Sequence, residues 1–268
     1  MTDPHVEKLS VDLRAAAATL SDEEARFLVD AYYIIQEDRK RSGNQVKAMN
    51  AEPHSLLQWF FEQNATLEDQ LKGALDKYSA AKPIGQWMRR QYGIGPVISA
   101  GLIAHIDINK APTTGHIWRF AGLDPTSIWE KGKKRPWNAE LKTLCWKIGQ
   151  SFMKFSGRDE CFYGKLYIKR KQYEVDRNDS GGNATRAAEL LPKFNKSTEA
   201  YGHLKSGKLP PAQIDARARR WAVKLFLSHM HDKWWELEKG EKPVKPYIMS
   251  HWPDAKGGSH AHMIEAPE

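Results

Sequence analysis

Apolar residues recur along this chain at spacings of three, four and seven, and no stretch alternates as a strand would, so the pattern predicts helices throughout. Residues 6–20 read as a short helix with Leu9, Val11, Leu13 and Leu20 as its apolar positions. Ser21-Asp22-Glu23-Glu24 has the form of a capping box, whose serine and glutamate satisfy N–H groups that a helix start leaves unbonded. The helix it opens, about 22–49, places Phe27, Leu28, Ala31, Tyr32 and Ile35 on one face. Pro53 breaks the chain, and a second long helix follows over about 54–81. There Phe60, Leu67 and Ala74 recur every seven residues beside a second row of Asn64, Leu71 and Tyr78. This is a short heptad seam with asparagine as its buried polar member. It would serve either a hairpin with the helix of 22–49 or a homodimer through residues 54–81.

The next elements are shorter. An amphipathic helix from Ile84 runs into Gly93-Ile94-Gly95, and a new helix starts at Pro96. Proline suits a first helical position, where its missing N–H would be unbonded anyway. Ser99, Ala100, Gly101 and Ala104 are small enough for close helix approach. The pattern is that of a helix-hairpin-helix, with Gly95 expected at a positive backbone dihedral and Ile94 packing the turn onto its helices. After a helix ended by Gly122 and Asp124-Pro125, Asn138 caps one over about 139–156, whose inner face is Leu141, Leu144, Cys145, Ile148, Phe152 and Phe155. A helix over about 159–177 carries Tyr163, Leu166, Tyr167 and the triplet Lys169-Arg170-Lys171. Residues 178–210 read as a mobile insertion with a short helix near 184–192. From Pro211 to Lys239 a long helix would bury Ile214, Trp221, Ala222, Leu225, Phe226 and His229. The expected fold is all-α. Residues 1–82 would form a helical hairpin or coiled coil, and 83–240 a helical domain around the helix-hairpin-helix. Residues 241–268 would be a tail, poorly ordered beyond about Trp252.

Charge changes this picture. The 268 residues carry a formal net charge of +8, unevenly placed. Residues 1–82 hold ten Lys+Arg against fourteen Asp+Glu, a net of −4, whereas 130–175 hold twelve against five, a net of +7. A local excess of that kind suits a face for a polyanion. Its densest part is the loop Lys131-Gly132-Lys133-Lys134-Arg135, followed by Lys142. Two cysteines are too few for a disulfide framework or a zinc cluster, which implies a reducing, cytoplasmic setting. The polar start, Met1 to Glu7, reads as no signal peptide, and the longest uncharged stretch, 92–106, is too short to span a bilayer. His229, His231, Asp232, His251, His260 and His262 match no metal-finger spacing, so neither metal nor cofactor is expected.

Gly93-Ile94-Gly95-Pro96, with Phe120-Ala121-Gly122-Leu123-Asp124-Pro125 downstream, resembles the C-terminal half of the DEDD insertion-sequence transposases, the family guided by a bridge RNA. The Gly/Lys-rich loop 131–135 and the helix from Asn138 follow in that family's order. More weakly, 216–237 is similar to its last basic helix. The resemblance covers about 84–146. It implies DNA binding within a mobile element such as a phage or plasmid. The family's nuclease-like domain, which supplies acidic metal ligands from a sheet, has no counterpart before residue 84. Its nucleophilic serine has only Ser127 nearby, and Trp129-Glu130 stand about where it would fall.

The expected function is non-catalytic binding of duplex or branched DNA. Backbone N–H groups of the hairpin and of the following helix would hold phosphate, a contact that reads the nucleic-acid backbone and accepts RNA as well. The expected site is Gly93, Ile94, Gly95, Pro96, Val97 and Ser99, with Lys131, Lys133, Lys134, Arg135 and Lys142. One alternative is an active recombinase using Ser127. Another is a phage factor whose basic face meets an acidic host DNA-processing protein.

Overall fold

The computed structural model describes residues 7–49, 54–244 and 264–267, and among them only helices and turns occur. Pro53, His251, His260, His262 and the rest of 245–263 lie outside the described residues, as does residue 268. The chain forms two compact units, Met1–Arg90 with Ile94–Asp107, and Gln91–Gly93 with Ile108–Glu268. The division therefore falls after the hairpin's second helix and not at residue 82.

The first unit holds α1 (Val11–Ala16), α2 (Asp22–Ala48), α3 (Ser55–Ala80), α4 (Pro83–Arg90) and α5 (Pro96–His105). The capping box forms as expected: Ser21 Oγ accepts from Glu24 N–H at 3.2 Å and Glu24 Oε2 from Ser21 N–H at 2.7 Å. α2 and α3 pack on each other as a hairpin within one chain, and α5 packs on both. That packing places α5 in this unit. α5 is apolar nearly all round, with Ala100, Leu102, Ile103 and Ala104 buried, as a helix enclosed on several sides must be.

The hairpin's inner face differs from expectation. Ala25, Val29 and Tyr32 of α2 are buried, while Phe27 is exposed. Ala74 and Tyr78 of α3 are buried, but Phe60 is exposed, and Asn64 merely donates to Phe60 O of its own helix at 2.9 Å. The polar residue inside the pairing is Glu68. It accepts from Tyr32 Oη at 3.1 Å and Gln36 Nε2 at 2.9 Å, and the Arg39 guanidinium pairs with it. Burial pushes this carboxyl up, but the bonds from Arg39, Gln36 and Tyr32 outweigh it and hold the group below its ordinary value. The first helix is also shorter than 6–20, and its Val11 and Leu13 are exposed. It is tied down by polar bonds, since Gln70 Oε1 accepts from Leu9 N at 3.1 Å and Arg14 Nη2 at 2.8 Å.

The second unit contains α6 (Thr114–Phe120), α7 (Ala139–Lys154), α8 (Phe162–Asp179), α9 (Ala184–Leu190), α10 (Glu199–Lys205) and α11 (Pro211–Lys239). α6, α7 and α8 each pack on α11. Leu141, Leu144, Cys145, Ile148 and Phe152 of α7 are buried, as are Ala222, Leu225 and Phe226 of α11. Phe152 stacks on Tyr163 of α8 with ring centroids 5.0 Å apart, and Phe226 meets both edge-on. Trp221 is only half-buried. Residues 178–210 are no loose insertion: Ala187, Leu204, Leu209 and Ile214 form a small core of their own. Asn178 locks it, donating to Leu209 O at 3.1 Å and accepting from Leu209 N at 2.8 Å.

Candidate nucleic-acid interface

The hairpin turn is set by Gly93, whose φ of +95° an L side chain rarely adopts. Within the second unit, residues 91–93 are pinned down. Ser151 Oγ donates to Gly93 O at 2.5 Å, Cys161 Sγ to Tyr92 O at 3.5 Å, and the Tyr92 ring meets Phe155 edge-on at 5.4 Å. Gly95, expected at a positive dihedral, is instead extended at φ −91°, ψ 178°, and an added Cβ would meet nothing within 4 Å. Ile94 and Val97 are buried, which gives them packing roles. Pro96 opens α5, which has no side-chain cap, so first-turn amides lack a side-chain partner there. Ser99 corrects the expectation most clearly. Its side chain is fully buried with an unpartnered Oγ, and its N–H bonds Gly95 O, so it offers nothing to a phosphate at the surface.

The basic loop belongs to the second unit and is a built turn. Trp129 Nε1 donates to Lys133 O at 2.7 Å, and Lys133 N to Glu130 O at 3.1 Å. The Arg135 guanidinium lies 5.5 Å from the Trp129 ring centroid. Lys131, Lys133, Lys134 and Arg135 are all exposed, and Lys133 pairs with Glu130 at 2.8 Å. Trp137 then folds back against Gly122, where a Cβ would stand 2.8 Å from the indole and φ is +64°. The Lys142 ammonium sits 4.0 Å from the Trp137 ring centroid. Asn138 caps α7, its Oδ1 accepting from Leu141 N at 2.8 Å. Burial, then the neighbouring Arg135 and Arg220, pushes the Lys142 ammonium below its ordinary value. Three cations from the loop, α7 and α11 are thus close enough to repel.

No protein-family model, curated protein or solved structure matches this chain.

The rest of the expected charge excess is partly spent inside the fold. Buried Glu174 accepts from Arg170 Nε at 3.0 Å and Nη2 at 2.6 Å, and lies 3.5 Å from Arg217. Asp215 pairs with Lys171 at 3.2 Å and Arg219 at 2.7 Å, and accepts from Tyr167 Oη at 2.5 Å. The Glu174–Arg217 and Asp215–Lys171 pairs tie α8 to α11, and Arg170 is held by Glu174 of its own helix, so Arg170 and Lys171 are structural. Arg220 and Lys224 lie within 216–237, where nothing in the sequence pattern sets them apart from the other basic residues. Lys224 stands 3.9 Å over the Trp118 ring and is pushed down by burial, partly restored by Asp124.

Ser127 Oγ is buried, and among the described residues no hydrogen-bond partner reaches it. Asp124 is committed to its own turn, accepting from Thr126 N at 2.9 Å and Thr126 Oγ1 at 2.7 Å. Among the described residues no group of three or more His, Cys, Asp and Glu side chains could hold a metal. His231 Nδ1 lies 3.3 Å from Asp232 Oδ1, and Nε2 bonds Ala111 O at 2.8 Å. His229 sits between Tyr163 Oη at 3.0 Å and Ile264 O at 2.6 Å. Both are core histidines. Cys145 and Cys161 are free and buried. No helix among the described residues is long and apolar enough to cross a membrane.

Proposed function

We propose that this protein binds DNA through its phosphate backbone without cutting or rejoining it, in the cytoplasm and in the service of a mobile element such as a phage or plasmid. One observation carries the binding: exposed Arg135 and Lys142 are set on the Trp129 and Trp137 rings at 5.5 and 4.0 Å, and burial first, then the charges of Arg135 and Arg220, pushes the Lys142 ammonium down. A bound polyanion relieves that repulsion, and exposed Lys131 and Lys134 extend the same positive surface. The mobile-element setting rests on the resemblance of 84–146 to DEDD transposases. Non-catalytic action is supported by Ser127, whose buried hydroxyl is reached by no hydrogen-bond partner among the described residues.

The test is affinity for a short labelled DNA across a salt series. Log K is expected to fall linearly with log salt, by about 0.9 per phosphate neutralised on duplex and about 0.7 on single strands. Replacing Lys131, Lys134 and Arg135 together with alanine should weaken binding to all sequences alike and flatten the slope by roughly 2–3. An unchanged slope would remove the loop from the interface. A covalent protein–DNA adduct that is lost in Ser127→Ala would instead establish recombinase chemistry.

A further inference from the structure

Trp146 lies on the outward face of α7 with 60% of its surface exposed. Among the described residues no ring or cation covers it, whereas Trp129 and Trp137 each carry a basic group. It stands four residues after Lys142, so the two side chains are neighbours on the helix surface. Lys142 in turn faces Trp137, and Arg135 faces Trp129. The face therefore alternates indoles with cations, and its most open indole, Trp146, has most of its surface free. A duplex keeps its bases stacked inside and presents phosphates and groove edges, which leave a flat exposed ring beside a lysine unused. A single strand presents both a charged backbone and free base faces.

We propose that this face takes single-stranded nucleic acid, a base stacking on Trp146 while Lys142, Arg135 and Arg220 hold the adjacent phosphates. The proposal rests on the nucleic-acid reading above and names the form of the ligand. Stacking accepts any base, so the selectivity is for strandedness and not for sequence.

Anisotropy with labelled oligo-dT, oligo-rU and a DNA duplex of equal length, at one fixed salt concentration, tests it. Single strands should bind more tightly than duplex and quench tryptophan fluorescence. Tight binding of either polymer supports the proposal, and the tighter of the two names the strand. Trp146→Ala should leave thermal melting unchanged, weaken single-strand binding about five- to 150-fold, and leave duplex binding nearly unaltered. Trp146→Phe, which keeps an aromatic face, should retain most of the affinity. Duplex binding as tight as single-strand binding would overturn the proposal. So would a Trp146→Ala variant that loosens neither ligand, or both alike, while the Lys131, Lys134 and Arg135 triple variant still loosens both; phosphate binding would then survive without stacking. Absence of binding to all three ligands would overturn both readings together.

Discussion

Two glycines separated by one residue do different work. Gly93 has φ +95°, and an added Cβ would come within 3.3 Å of Ser151 Oγ and 3.4 Å of Phe152. Gly93→Ala should cost ~1–3 kcal/mol through backbone strain, together with crowding of the Ser151 hydroxyl that bonds Gly93 O. Gly95 is extended and open, so Gly95→Ala should be neutral or slightly stabilising, since it reduces the freedom of the unfolded chain. Paired thermal melts decide the matter: equal losses in the two variants would contradict the assignment. The sequence shows a Gly-x-Gly turn but cannot say which glycine carries the unusual dihedral. That depends on α7 reaching the turn from about sixty residues downstream, where Ser151 meets Gly93 O. Ser99 was illegible for the same reason, because only the packing of α5 shows its hydroxyl to be enclosed.

Among the elements, starts and stops were the legible part, because caps are local chemistry. Ser21, Pro96 and Asn138 open helices where their side-chain or ring chemistry predicts. Inner faces were less legible. α2 turns Ala25 and Val29 inward and leaves Phe27 to solvent, a choice the apolar count along one helix does not reveal. The seam's polar member is Glu68 and not Asn64, because Arg39, Gln36 and Tyr32 of the facing helix converge on it. Glu68 also links the hairpin to pH. Its folded-state carboxyl lies below the ordinary 4.5, so the unfolded state takes up the proton first on acidification. The stabilisation is present above about 4.5 and is lost as pH falls through the lower folded value. Glu68→Gln should therefore destabilise by about 1–3 kcal/mol at neutral pH, the scale of hydrogen bonds to a charged group, with the deficit shrinking towards pH 3. Urea unfolding of both proteins across that range reads it. A deficit that stays constant with pH would show that the clamp acts through shape and not charge.

For the molecule as a whole, the open question from sequence was whether the heptad seam joins two chains or two helices of one. The seam is satisfied within the chain: Ala74, Leu75 and Tyr78 are buried, and Tyr78 Oη donates to Asp22 Oδ1 of α2 at 2.7 Å. What remains outside is small. At the far end of the hairpin Met49, Leu56, Trp59 and Phe60 are exposed, each by about half. Together they offer on the order of 400 Å² per chain, against roughly 800 Å² per partner in a standard interface. Phe27 and Ile34 are exposed on α2, but Glu23, Asp30 and Glu37 lie three or four residues from them on the same face. Glu23 and Glu37 pair with Arg26 and Lys40 there, but a second copy would still meet a region whose net charge is −4 from ten Lys+Arg and fourteen Asp+Glu. The protein is therefore expected to be a monomer, and light scattering should return about the chain mass of 30.6 kDa over a wide concentration range. A mass near twice that value, restored to the single-chain value by Trp59→Asp with Phe60→Asp, would show instead that the apolar end of the hairpin is a true interface. The same double variant should leave salt-dependent DNA binding intact, because the cations proposed to hold phosphate there, Arg135, Lys142 and Arg220, all belong to the second unit.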